Sequence, residues 1–191
     1  EAAHAALLAA VARLRGLPGC AELEVKYSRA ERHPFGKMKV KLKREIVTMN
    51  AGTLDPAQNA GRYIEPQDWN ALITDPETIL IDTRNDYELR LGAFKDAVDP
   101  QIKNFRQFPE WLKSKADELK SKPVVMYCTG GIRCEILSAA MKNRGFNEVY
   151  QIDGGIVRYG EAFGNDGLWR GSLAVFDGRE SMDFAPGAAV I

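Results

Sequence analysis

Histidine and cysteine are scarce in this chain, and their placement excludes more than their number. The two histidines, His4 and His33, both stand near the start of the 191 residues. The central region therefore has no local base for a cysteine–histidine hydrolase and too few imidazoles for a two-histidine iron site. Three cysteines, Cys20, Cys128 and Cys134, form an odd set without the spacing of a disulfide scaffold. No signal peptide or bilayer-length apolar run precedes them, so a reducing cytoplasm without a membrane partner is the expected setting. Net charge is missing as well: 26 Lys and Arg balance 26 Asp and Glu, which taken alone points to no polyanionic partner. An initiating methionine is also lacking. The chain begins at Glu1 inside a stretch that reads as helix, so its true N-terminus is expected upstream.

The charge is unevenly distributed. Residues 1–50 carry ten Lys and Arg against five Asp and Glu, and the remainder carries sixteen against twenty-one. Such asymmetry suggests two modules with different tasks. Leu7, Leu8, Val11 and Leu14 form one stripe of a packing helix over residues 2–15, stopped by Gly16-Leu17-Pro18-Gly19. Residues 21–28 alternate as a strand, and residues 37–47 alternate more clearly. There Met38, Val40, Leu42 and Ile46 face one way, and Lys37, Lys39, Lys41 and Lys43 the other. The basic strip reads either as a solvated face whose lysines guard a sheet edge or as phosphate contacts to a nucleic acid. One helix and two strands make a thin core for such a module. Residues 50–62 lack apolar periodicity and carry Gly, Pro and Asn, which places a linker at 51–62.

Beyond the linker the pattern alternates between short strands and helices. Pro66 opens a helix containing Trp69 and Leu72, and residues 78–81 form a buried strand running into Asp82-Thr83-Arg84. Asn85 with Glu88 resembles a capping box. A helix is expected over 109–119, a strand after Pro123, another strand over 148–152, a tight turn at Gly154-Gly155 and a helix over 156–163. The fold class is therefore α/β, a mainly parallel sheet with helices on both faces. Ligands in such sheets bind beyond the carboxyl ends of strands, where Cys128 falls.

Val124-Val125-Met126-Tyr127 deliver Cys128 to the loop Thr129, Gly130, Gly131, Ile132 and Arg133, and an amphipathic segment follows to Arg144-Gly145. The glycines let successive amides turn toward one point, and the following helix adds its positive end. A thiol there titrates below its free value of about 8.5. Four residues separate Cys128 from Arg133, one fewer than in the cradle of cysteine phosphatases, which suits a smaller sulfur-borne group. Arg133 either points into the site or braces the loop through a carboxylate. Cys134 either resolves an oxidised Cys128 as a disulfide or packs as a small residue beneath the loop. Asp82, Arg84 and Glu88 read as a structural polar cluster in support, Cys20 as an ordinary buried thiol, and Trp69, Trp111 and Trp169 as core. No flavin or nicotinamide fingerprint and no metal-ligand set is present, so the residues identify no cofactor.

Asp82-Thr83-Arg84 with Glu88, the Cys128–Arg133 loop and Asp153-Gly154-Gly155 fall in the order of the rhodanese family across residues 63–163, and the chain resembles that family. It departs at Gly92-Ala93-Phe94, where rhodaneses commonly place Gly-His. Three stretches narrow the likeness: Val125 to Glu135; Phe35-Gly36-Lys37-Met38-Lys39-Val40; and Val175-Phe176-Asp177. They are similar to bacterial rhodanese-domain proteins of the oxygen-dependent tRNA uridine hydroxylase family. That resemblance implies a partial ferredoxin-like α+β domain at 1–50, a rhodanese domain at 63–163 and an extension at 164–191. In the family the extension usually continues into a cysteine-rich tail. It further implies a persulfide-capable Cys128, O2 as co-substrate and 5-hydroxylation of the wobble uridine. The implied partners are the anticodon region of tRNA, for which Lys37, Lys39, Lys41 and Lys43 are the contact candidates, and a sulfur donor. The residues themselves predict a persulfide but not a hydroxylation, and nothing in them reports the oligomeric state. A plain sulfurtransferase is the alternative. A non-catalytic binding module is the third reading, and the intact Cys128 and loop glycines argue against it.

Overall fold

A computed structural model of the chain describes residues 2–25, 27, 35–37 and 39–184. The chain divides into two compact units that part between residues 33 and 34. In the first, α1 (Ala2–Arg15) ends in a turn. There the Arg15 guanidinium donates to the Leu23 carbonyl at 3.1 and 3.2 Å, and the Cys20 N–H donates to the Leu17 carbonyl at 3.1 Å. Of the apolar stripe only Val11 is buried; Leu7, Leu8 and Leu14 are 46–48% exposed. Cys20 is half-buried rather than buried, because its turn is itself largely exposed.

The two expected N-terminal strands are not formed among the described residues. Residues 21–25 and 27 are turn and irregular chain, and 39–47 are irregular with bends over 44–47. Lys26, Ser28 and Met38, which belonged to those expectations, lie outside the described residues, as does His33. Val40, Leu42 and Ile46 are 83, 102 and 70% exposed, and the lysines between them are exposed too. The physical reason is that alternation makes a two-faced ribbon, but a strand also needs a neighbour to complete its hydrogen bonds. No described strand pairs with this stretch. Residues 51–62, read above as a linker, hold α2 (Pro56–Asn59). Ala51 and Leu54 pack against the core of the second unit, as does the buried Met49 before them.

The rest of the second unit is built as expected for an α/β fold. Its elements are β1 (Arg62–Ile64), α3 (Pro66–Ile73), β2 (Ile79–Asp82), α4 (Asp86–Leu89), β3 (Gly92–Phe94) and α5 (Phe108–Leu119). They continue with β4 (Val124–Tyr127), α6 (Ile132–Lys142), β5 (Val149–Ile152) and α7 (Gly155–Phe163). Three short strands follow: β6 (Trp169–Gly171), β7 (Leu173–Ala174) and β8 (Ser181–Met182). Four strands form a parallel sheet in the order β1-β5-β4-β2. Two antiparallel pairs, β3 with β6 and β7 with β8, stand apart from it.

Strand β4 is central, and its uninterrupted apolar run is what a strand covered on both faces requires. Val124, Met126 and then Cys128 face a cluster with Leu112 of α5 and Leu137 and Met141 of α6. Val125 and Tyr127 face the opposite cluster, with Trp69 of α3 and Ile156 and Tyr159 of α7. Trp69 and Trp169 are buried and Trp111 packs partly buried on the first cluster, in line with their reading as core. Both layers thus converge on the carboxyl end of β4, where the chain leaves the sheet at Cys128.

The cysteine loop as candidate active site

Cys128 is 2% exposed and sits at the foot of the loop that joins β4 to α6. Its sulfur accepts the Gly131 N–H at 3.1 Å. Gly131 has φ 96°, the left-handed region, and this allows its amide to turn back onto the sulfur. Gly130 needs no such conformation; of the two loop glycines only Gly131 has a positive φ.

The loop is held from behind by the turn between β5 and α7. The Ile156 and Val157 N–H groups donate to the carbonyls of Cys128 and Thr129 at 3.0 and 3.1 Å. Those carbonyls therefore point toward the start of α7, leaving the loop amides free to face the sulfur. Gly155 makes this approach feasible: a Cβ there would lie 2.5 Å from the Thr129 oxygen and 2.6 Å from the Cys128 oxygen. The turn was legible in the sequence; its role as the clamp on the cysteine loop was not.

From the side the loop is held by Glu88, whose side chain is fully buried. Its carboxylate takes both arms of Arg133, at 2.6 and 2.8 Å, and accepts from the Thr129 hydroxyl at 3.2 Å and the Asn85 N–H at 3.1 Å. Arg133 thus braces the loop through a carboxylate, one of its two expected roles. Two-armed guanidinium–carboxylate pairs fix orientation as well as charge. Burial favours neutral groups here, but the hydrogen bonds and charge exchanged by the pair outweigh it. Glu88 is held below the usual carboxylate range and Arg133 stays firmly protonated.

Asp82 and Arg84 do not touch the sulfur. Arg84 donates from Nε and Nη2 to Asp82 at 2.9 and 2.6 Å, and to the carbonyls of Gly92 and Glu88 at 2.6 and 3.3 Å. Its guanidinium lies 5.0 Å from the Trp169 ring centroid. This buried cluster ties β2 to α4 and β3, and so fixes the backbone that carries Glu88. Ile132 is exposed at the start of α6, and Lys37, Lys39, Lys41 and Lys43 are exposed on the irregular stretch described above.

Cys134 lies in the first turn of α6, fully buried, with Sγ 3.5 Å from the Thr83 hydroxyl oxygen. Burial alone would keep Cys128 neutral. The Cys134 thiol donating to its sulfur, the Arg133 charge and the amides of Cys134 and Arg133 reverse that, and bring the pKa of Cys128 down to about 6. Cys134 moves the other way: burial, its hydrogen bond to Cys128 and the charge there push its thiol well above the ordinary range. A thiol whose pKa is lowered, next to one whose pKa is raised, is the division that nucleophilic sulfur chemistry uses. Among the described residues no three His, Cys, Asp or Glu side chains cluster as a metal site would need, and no helix is long and apolar enough to cross a membrane.

Residues 65–162 match the family described as Rhodanese-like domain, and residues 2–46 match the UPF0176 acylphosphatase like domain. A tRNA uridine(34) hydroxylase of Gluconobacter oxydans is 52% identical over 177 residues, covering 90% of this chain and 56% of that protein. One of Agrobacterium fabrum is 53% identical over 180 residues, covering 93% of this chain and 57% of that protein. One of Brucella ovis is 49% identical over 173 residues, covering 90% and 57%. The chain spans about half the length of the curated relatives it matches.

Proposed function

The chain belongs to the rhodanese-like domain family, and from that premise we propose that it carries the reactive centre of an enzyme that hydroxylates the wobble uridine of tRNA, with O2 as co-substrate. Cys128 is the reactive group, as thiolate or as persulfide. The 52% identity to a protein named for that activity, reaching over 90% of this chain, is the observation that carries the substrate assignment. The site supplies the chemistry: an acidic, buried sulfur receiving a backbone N–H and lying beside a fixed guanidinium. Inward donors of this kind stabilise developing negative charge without an external base. The exposed Lys37, Lys39, Lys41 and Lys43 are the candidate contacts to the tRNA anticodon region, and a cytoplasmic place belongs to the same reading.

A second reading is favoured by the same cradle. An N–H aimed at Sγ also suits a persulfide anion, so transfer of sulfane sulfur from a donor to an acceptor is the alternative. Mass spectrometry of wobble uridines separates the two. In a strain deleted for the gene, complementation with the wild type restores the hydroxyl group and Cys128→Ser does not. Full restoration by Cys128→Ser removes Cys128 from the reaction. Unchanged hydroxylation in the deletion strain itself leaves sulfur transfer as the function.

A further inference from the structure

The cysteine loop is open to solvent on one side. Of residues 128–134, Gly130 and Ile132 are exposed and Thr129 is half-buried, whereas Cys128, Gly131, Arg133 and Cys134 are buried. A substrate therefore meets the loop at Gly130 and Ile132. Beside them stands an aromatic ring that neither reading above uses. Tyr63 of β1 is 49% exposed and Ile132 is 39% exposed. The sheet register sets Tyr63 level with Gln151, and Gln151 level with Met126. Residues in such a row point to one face of the sheet, and Met126 packs on the α6 side. Ile64, the next residue of β1, belongs to the opposite cluster. Tyr63 thus reaches α6, where its hydroxyl donates to Glu135 Oε1 at 3.1 Å. Residues three apart on a helix are neighbours, with Cβ atoms about 5–6 Å apart, so Glu135 holds the ring alongside Ile132. The tip of the ring is fixed, half of its surface is open, and it borders the exposed side of the loop.

We propose that Tyr63, with Ile132 beside it, is a shelf on which an unpaired base next to the wobble uridine stacks while the uridine itself reaches the Cys128 loop. The proposal rests on the hydroxylase reading above and names how that substrate is held. Unpaired bases of RNA loops are splayed out and stack on aromatic faces. The row across the sheet sets the Tyr63 backbone two strand spacings, about 10 Å, from β4. That offset stands the ring aside from the sulfur, where it suits the neighbour of the reacting base. Because the hydroxyl is occupied by Glu135, the ring offers a ligand its face rather than a donor. Stacking of this kind accepts any base, so the shelf orients the anticodon loop without reading its sequence. A protein partner needs an interface of about 800 Å² a side, far more than one ring and one isoleucine, whereas a base needs a single face. The buried Trp69 and Trp169 cannot serve in this way.

The test measures binding of a fluorescently labelled anticodon stem-loop RNA to the full chain by anisotropy. Tyr63→Ala and Tyr63→Leu, checked for folding by circular dichroism, are expected to weaken binding about five- to a hundredfold. Tyr63→Phe keeps the ring and is expected to bind within about threefold of the wild type. An abasic nucleotide placed on one side of the wobble uridine or the other should weaken wild-type binding by a similar factor at one of the two positions. At that position it should weaken binding to Tyr63→Ala no further, since the stacked pair is already broken. Wild-type affinity in Tyr63→Ala and Tyr63→Leu overturns the proposal. So does an equal loss in Tyr63→Phe, which makes the bond to Glu135 the contact instead of the ring. Losses that multiply at both abasic positions overturn it as well. The deletion strain above tests the hydroxylase reading separately: wobble uridines that keep their hydroxyl group there remove that reading and the shelf with it, whereas unchanged RNA binding by the Tyr63 variants removes the shelf alone.

Discussion

The loop from Cys128 to Cys134 and the stretch from 39 to 47 both carry clear patterns in the sequence, yet one is held from three sides and the other touches the core only at its end, through Val47. Glu88 grips the loop through Arg133 and Thr129, the turn at Gly155 grips it through two carbonyls, and Thr83 meets it at Cys134. No described strand pairs with 39–47, and Val40, Leu42 and Ile46 stand exposed along with Lys39, Lys41 and Lys43. A local strand pattern becomes structure only where remote chain completes its hydrogen bonds. A loop so held presents one geometry to a substrate. An exposed basic stretch contributes charge to an encounter and little to the fold.

Removing the loop's supports should therefore cost far more than altering the lysines. Glu88→Ala leaves the Arg133 charge buried without its partner, and a loss of about 3–5 kcal/mol is expected in urea denaturation. A loss below about 1 kcal/mol would mean that the pair is not what holds the loop. Gly155→Ala forces a Cβ against the Cys128 and Thr129 carbonyls at a φ of 68°. A loss of about 1–3 kcal/mol is expected from the strained backbone alone, together with slower alkylation of Cys128. Neutralising Lys39 and Lys41 to Ala is expected to change stability by less than about 0.5 kcal/mol. The same pair of changes should reduce the salt dependence of tRNA binding by about one ion per lysine that contacts phosphate. An unchanged salt slope would break the comparison from the other side, by leaving the basic stretch with no role.

The same contrast explains what was legible in the sequence. Strand β4, the cysteine loop and α6 were readable because each depends on neighbours along the chain: an apolar run, two glycines, then a helical segment. The role of Arg133 was open until Glu88 was placed beside it, because the partner lies 45 residues away. Gly155 read as a turn glycine, but the carbonyls that exclude its Cβ belong to a different strand connection. The antiparallel pairs β3–β6 and β7–β8 escaped because strands of two or three residues carry no measurable period. The N-terminal strands failed among the described residues for the opposite reason, since a clear period was present and no described strand pairs with it.

With its pKa lowered, Cys128 is expected to be held by this loop as an anion at neutral pH, ready for chemistry on a substrate. The rate of its alkylation by iodoacetamide, followed by mass spectrometry from pH 4 to 10, reports that state directly, because only the thiolate reacts. Cys128 has its pKa lowered, so the rate should rise through an inflection near 6 and stay flat above it. Cys134→Ala removes the donated thiol, and its inflection should move upward. An inflection in the wild type at or above the free-cysteine value of about 8.5 would mean that the loop does not stabilise the thiolate.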